Sequence, residues 1–258
     1  MLKTTLLILS TSYFAWYLER YETSMIYPFD ASYATPELAG EPRLSEMRVS
    51  TEDGEELIVW RVAAENGKPT IVYFPGNAGG LKDRADRFSR LIDQGYGVTA
   101  LAYRGSSGSS GRPDEMLLIE DAVTLVVGET GHPIVLYGES LGTAVAIKLA
   151  ASGLGDALVL EAPFTSLIEL VQVQYPSETL DHLITQRWES LGSVHAVRQP
   201  MLVMHGANDD VVPIHMGRRI FDQAGSPAKT FLEIMDRGHQ GLWTTEAQTA
   251  LFDFLDRL

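Results

Sequence analysis

The chain has 258 residues, 45% of them hydrophobic and 21% charged, a composition that fits a packed core and excludes disorder. With 20 Lys and Arg against 34 Asp and Glu, its formal charge is −14, which opposes nucleic-acid phosphates and anionic headgroups. It has no cysteine, so thiol catalysis, disulfides and Cys-ligated zinc are excluded together.

The first element is a hydrophobic segment over residues 1–20, ahead of one domain expected over 21–258. Lys3 precedes Leu6-Leu7-Ile8-Leu9 and Tyr13-Phe14-Ala15-Trp16-Tyr17-Leu18, and charges return at Glu19 and Arg20. A full membrane span needs about 20 apolar residues, and Ser10, Thr11 and Ser12 interrupt this run. Three readings stay open: a signal-anchor with Lys3 in the cytoplasm, an interfacial amphipathic helix, or an arm packed on the domain. The first two make the protein membrane-associated through residues 1–18; the third leaves it cytoplasmic.

Strand-like runs follow at Leu57–Val62, Thr70–Phe74, Val98–Tyr103, Pro133–Tyr137, Ala157–Glu161, Met201–His205 and Thr230–Ile234. Several are continuously apolar, as parallel strands buried on both faces must be. Helical stretches lie between them at Gly80–Gln94, Glu115–Val127, Leu141–Ala151, Ile214–Gln223 and Gly241–Leu255. This alternation predicts an α/β fold with a mostly parallel, doubly wound sheet. Functional groups in such sheets sit just beyond the carboxyl ends of the strands.

Candidate chemistry clusters there. Gly138-Glu139-Ser140-Leu141-Gly142 is a G-x-S-x-G turn between a strand and a helix, the context expected of a nucleophile elbow. It makes Ser140 the candidate nucleophile and the Leu141 backbone N–H one oxyanion donor. Pro75-Gly76-Asn77-Ala78-Gly79-Gly80 follows an earlier strand and offers the Asn77 N–H as the second donor. Neither dinucleotide nor P-loop register fits it.

Of six histidines, His239 follows the last strand, where a base is expected; His205 ends a strand as a packing or turn residue. Asp209 and Asp210 lie between a strand and a helix, where a carboxylate can orient the base or cap the helix. The order Ser140, Asp209, His239 is that of α/β-hydrolases. Outside these residues no histidine–carboxylate cluster has ligand spacing, so no metal or cofactor is expected.

These pieces, with Tyr103-Arg104-Gly105, Glu161-Ala162-Pro163-Phe164, His205-Gly206 and Val212-Pro213, resemble the α/β-hydrolase superfamily over Glu41–Leu258. The chain is most similar to a small branch with an N-terminal anchor, an H-G-N-A-G loop and a minimal lid, related to monoacylglycerol lipases and acyl-protein thioesterases. The resemblance implies the α/β-hydrolase fold with a short helical lid at about 165–199, and favours Asp209 over Asp210. Pro75 stands where the branch carries histidine. Phe164 and Trp188 are the expected substrate-binding residues. Leu167, Leu170, Val171, Val173, Leu180, Leu183 and Ile184 form either the lid's underside or its docking surface on the core.

The implied activity is hydrolysis of carboxylic esters or thioesters, of lipid-like or medium-chain acyl substrates, through an acyl-enzyme. A peptidase, acyltransferase or haloperoxidase on the same residues, or a non-catalytic binding protein on the same fold, are the competing readings.

Overall fold

Successive residues of a strand point to opposite faces of a sheet, so a strand with water on one side must alternate. Thr70–Phe74 does not alternate, because all of its residues are buried. Ile71 and Tyr73 enter one apolar cluster, while Val72 and Phe74 enter another. The sheet is therefore covered on both sides.

The computed structural model describes residues 20–131, 133–176 and 184–258. The apolar segment before residue 20, His132, and the lid residues Leu180, His182 and Leu183 lie outside the described residues. Among those described, no helix is long and apolar enough to cross a membrane.

Among the described residues, eight strands form one sheet: β1 (Ser45–Ser50), β2 (Glu56–Val62), β3 (Thr70–Phe74), β4 (Gly97–Leu101), β5 (Ile134–Glu139), β6 (Ala157–Glu161), β7 (Met201–Gly206) and β8 (Lys229–Ile234). The spatial order is β1-β2-β4-β3-β5-β6-β7-β8. β1 and β2 pair antiparallel, as do β2 and β4; every later neighbour is parallel. This is the mostly parallel, doubly wound sheet that the alternation predicts.

Helices α1 (Ala85–Ile92) and α7 (Thr245–Leu255) cover one face through Phe88, Leu91, Leu251 and Leu255. Helices α2 (Glu115–Val127), α3 (Leu141–Ala151) and α6 (Ile214–Gln223) cover the other through Leu118, Ile147, Met216 and Ile220. From β3 the chain crosses to β4 on one side and later to β5 on the other. A crevice opens at that reversal, beyond the strands' carboxyl ends.

Two short helices, α4 (Leu167–Gln174) and α5 (Leu191–Val194), occupy the expected lid region. Leu167 belongs to the core, and Leu170, Val171, Ile184 and Leu191 pack against it. For Leu167, Leu170, Val171 and Ile184 the docking reading holds, whereas Val173 is exposed.

Strand β1 is the element that sequence patterning misses: its sequence, SEMRVS, is largely exposed, and its apolar face is only Met47 and Val49. Backbone pairing to β2 holds it as an edge. α7 starts later than expected, at Thr245, where the Thr244 hydroxyl accepts from the Ala247 N–H at 3.2 Å and caps the helix.

Residues 20–26 are helical, and the chain that follows runs across the domain. Glu22 accepts from the N–H groups of Thr185 and Gln186 at 2.7 and 3.0 Å. The Trp188 indole N–H donates to the Tyr27 hydroxyl at 3.0 Å, and Phe29 bridges to Gly79.

Leu136 is fully buried in the central strand β5. Truncation to Ala should cost about 2–5 kcal/mol, read as a lower denaturation midpoint at unchanged slope.

Candidate active site

The turn after β5 explains why the motif has glycine at both ends. Ser140 adopts φ 49° and ψ −112°, a conformation that costs a residue with a side chain roughly 1–3 kcal/mol. Its neighbours leave it no alternative. A Cβ on Gly138 would meet the Gly142 carbonyl and lie 2.5 Å from Thr143 Cα; one on Gly142 would enter the Phe74 carbonyl. The Ser140 N–H donates to the Glu161 carbonyl at 2.8 Å. The Ser140 carbonyl accepts from the Thr143 N–H at 2.9 Å and its hydroxyl at 2.6 Å. With the backbone held on both sides, the side chain stands above the sheet.

Two further loops converge on it. The Asn208 N–H donates to the Arg237 carbonyl at 2.9 Å, tying the loop after β7 to the loop after β8. A Cβ on Gly206 would strike the Gly238 carbonyl, so this approach requires glycine. His239 Nδ1 lies 2.9 Å from Asp209 Oδ2, and its Nε2 lies 3.0 Å from Ser140 Oγ. The other Asp209 oxygen accepts from the N–H groups of Val211 and Val212 at 3.0 and 2.8 Å. Asp209 is buried and faces His239, whereas Asp210 is exposed. A hydroxyl, an imidazole and a carboxylate thus form one hydrogen-bonded chain.

Burial pushes the Asp209 carboxyl upward, but hydrogen bonds from His205, His239 and the Val212 N–H outweigh it and hold the group well below the usual range. Burial pulls His239 down; its hydrogen bond and attraction to Asp209, with the charges of Glu139 and Glu161, win and raise it above the ordinary imidazole value.

Ser140 and His239 open into a cleft of about 520 Å³ that Asn77, Ala78, Ala162, Val211, Gln240 and Gly241 also line. A larger hollow of about 800 Å³, around Arg90, Arg237 and Trp243, contains neither Ser140 nor His239. Asn77 is anchored by its side-chain amide, which donates to the Ile26 carbonyl at 3.0 Å. Leu141 opens α3, where a backbone N–H has no acceptor inside the helix. Phe164 and Trp188 lie elsewhere: both are buried in the core and neither lines the cleft, because the Trp188 indole is turned toward Tyr27. Their expected place in a substrate pocket is corrected to a packing role.

One wall of the cleft escapes motif reading. Arg84 pairs with Glu139 at 2.9 Å, and Arg87 pairs with Glu161 at 2.8 Å while lying over the Trp243 ring at 4.8 Å. The Tyr73 and Tyr137 hydroxyls donate to Glu139 and Glu161, both at 2.6 Å. Burial raises the Glu139 carboxyl, yet Arg87 and Arg84 bring it down to about 2. The available signal was two arginines three residues apart, after a glycine-rich loop, and an acidic residue beside the serine.

No family model matches the chain. Among curated proteins, it is 36% identical over 199 residues to the uncharacterized protein Rv2307c of Mycobacterium tuberculosis, covering 74% of this chain and 70% of that one. It is 29% identical over 202 residues to the rat lysophosphatidylserine lipase ABHD12, covering 69% of this chain and 50% of the lipase. Among solved structures, the Pyrococcus furiosus esterase Pf2001 superposes with a TM-score of 0.73 at 18% identity, over 90% of this chain and 96% of that one. With this sheet order, this elbow and these relatives, the chain belongs to the α/β-hydrolase superfamily.

Proposed function

We propose that the chain is a serine hydrolase that cleaves carboxylic ester or thioester bonds of lipid-like or medium-chain acyl substrates. The observation that carries this reading is the unbroken contact from Ser140 Oγ through His239 to the buried Asp209. The esterase and lipase names among its relatives support the same reaction class.

In the proposed reaction, His239 Nε2 takes the Ser140 proton as Oγ attacks the substrate carbonyl. Asp209 keeps the other imidazole proton on Nδ1 and stabilises the imidazolium. Negative charge on the carbonyl oxygen is met by the backbone N–H groups of Asn77 and Leu141. His239 then protonates the leaving alcohol or thiol, and water repeats the sequence on the acyl-enzyme.

The proposed lid is the segment 165–199, with α4 at its start. Val211, 40% exposed in the cleft, and Ala78 and Ala162 beside it give the acyl group apolar contact. Attachment to a membrane through residues 1–18 belongs to the same proposal. Its support is the path of the chain after residue 20, which runs along the lid and the loop carrying Asn77. A lipid anchored there would meet the cleft.

Ser140→Ala should lower p-nitrophenyl ester turnover roughly 10³-fold or more, with the melting temperature preserved. Full retained activity would remove Ser140 from the reaction. Since the base must be neutral and His239 is raised, kcat/KM should fall on acidification with its half-point above pH 6.5. A series of acyl chain lengths should show rising kcat/KM beyond acetyl; a flat series would refute the lipid assignment.

A further inference from the structure

His205 ends β7 fully buried, and the fold accommodates it at two visible costs. Its Nδ1 has no hydrogen-bond partner among the described residues. Gly217, in the interior of α6, must remain glycine for the ring to fit: a Cβ there would run into Nδ1 and come within 2.9 Å of Cε1. Glycine weakens a helix interior, and an unpaired buried nitrogen is unfavourable. An apolar side chain filling the same space would still need the glycine, but it would leave no nitrogen unpaired.

The other ring nitrogen accounts for the imidazole. His205 Nε2 lies 2.8 Å from the Val212 carbonyl, which can only accept, so Nε2 carries the proton. The same nitrogen lies 3.4 Å from Asp209 Oδ2, the oxygen that faces His239. His205 therefore hydrogen-bonds the Val212 end of the Asp209–Val212 turn and lies against its Asp209 end. That turn supplies the Val211 and Val212 N–H groups that hold the opposite carboxylate oxygen. We propose that His205 is a positioning residue, which fixes the Asp209 carboxylate toward His239 by clamping the turn that carries it.

The proposal rests on the serine-hydrolase reading and deepens it. His205 does not touch the cleft, so it acts through Asp209 alone. The charged groups facing His239 are Asp209, Glu139 and Glu161, the last two paired with Arg84 and Arg87. Around His205, the opposed Glu233 of β8 is paired with Arg218 of α6, and Arg219 with Glu169 of α4. Among these groups Asp209 is the one that touches both imidazoles. If the turn relaxes, His239 loses part of the attraction that raises it. The acid limb of kcat/KM must then move toward lower pH.

The test compares full-length wild type, Ser140→Ala, His205→Met, His205→Gln and Gly217→Ala on one p-nitrophenyl ester across pH. For His205→Met, kcat should fall roughly tenfold with KM within about twofold of wild type. The acid limb should move down by about half a pH unit or more. His205→Gln, which restores an N–H at the same reach, should recover most of both. Gly217→Ala, which displaces the ring without removing it, should reproduce the His205→Met signature, and it carries the test if His205→Met does not fold. An unmoved or upward limb, or a lower melting temperature with kcat intact, overturns the positioning role while Ser140-dependent turnover in wild type keeps the hydrolase reading. Wild type without Ser140-dependent turnover overturns both.

Discussion

The site depends on a backbone held where a serine does not rest by itself. At φ 49° the Ser140 peptide is strained, and two glycine contacts with a neighbouring strand and helix sustain it. Those contacts exist only because β3, β5 and α3 are locked together in a core buried on both faces. Tight packing fixes the strain, and the strain aims the hydroxyl. Interiors at crystal-like density can hold such a turn because no soft direction exists in which it could relax.

The same tight crevice decides the electrostatics. Charges in a half-buried cleft interact strongly, so each one needs a partner. Glu139 and Glu161 are matched by Arg84 and Arg87, and both carboxylates also accept a tyrosine hydroxyl. Asp209 is paired with imidazoles and not with an arginine among the ion pairs of the described residues. It is held by backbone N–H groups and two imidazoles instead, which leaves its charge directed at His239. A guanidinium there would neutralise the carboxylate and cancel its influence on the base. The difference between an arginine-paired and an amide-held carboxylate separates the cleft wall from the groups lined up behind Ser140.

Residues that carry a local signature were legible in the sequence. Buried parallel strands announce themselves by unbroken apolar runs, and Ser140 by two glycines at fixed offsets between a strand and a helix. His239 was legible through its place after the last strand. Asp209 and Asp210 were not separable locally, since either can follow that strand; burial of one and exposure of the other distinguishes them. β1 was hidden because its two apolar residues, Met47 and Val49, make an alternation too short to stand out, and backbone pairing to β2 does the rest. Phe164 and Trp188 were misplaced because aromatic residues near a site look alike whether they face a cleft or the core. The pairing of Arg87 with Glu161 across 74 positions has no local trace at all.

The loop bearing Asn77 is held by contacts from outside it. Pro75, at its start, has no N–H and no side-chain donor. Support comes from elsewhere in the chain. Asn77 is tied through its amide to Ile26, Gly79 accepts from the Asp30 N–H at 3.3 Å, and the Gly80 and Leu81 N–H groups are bound by Asp83 and Ser107. Two of these four contacts belong to the arm that follows residue 20. The arm is thus part of the loop's scaffold as well as a cover for it.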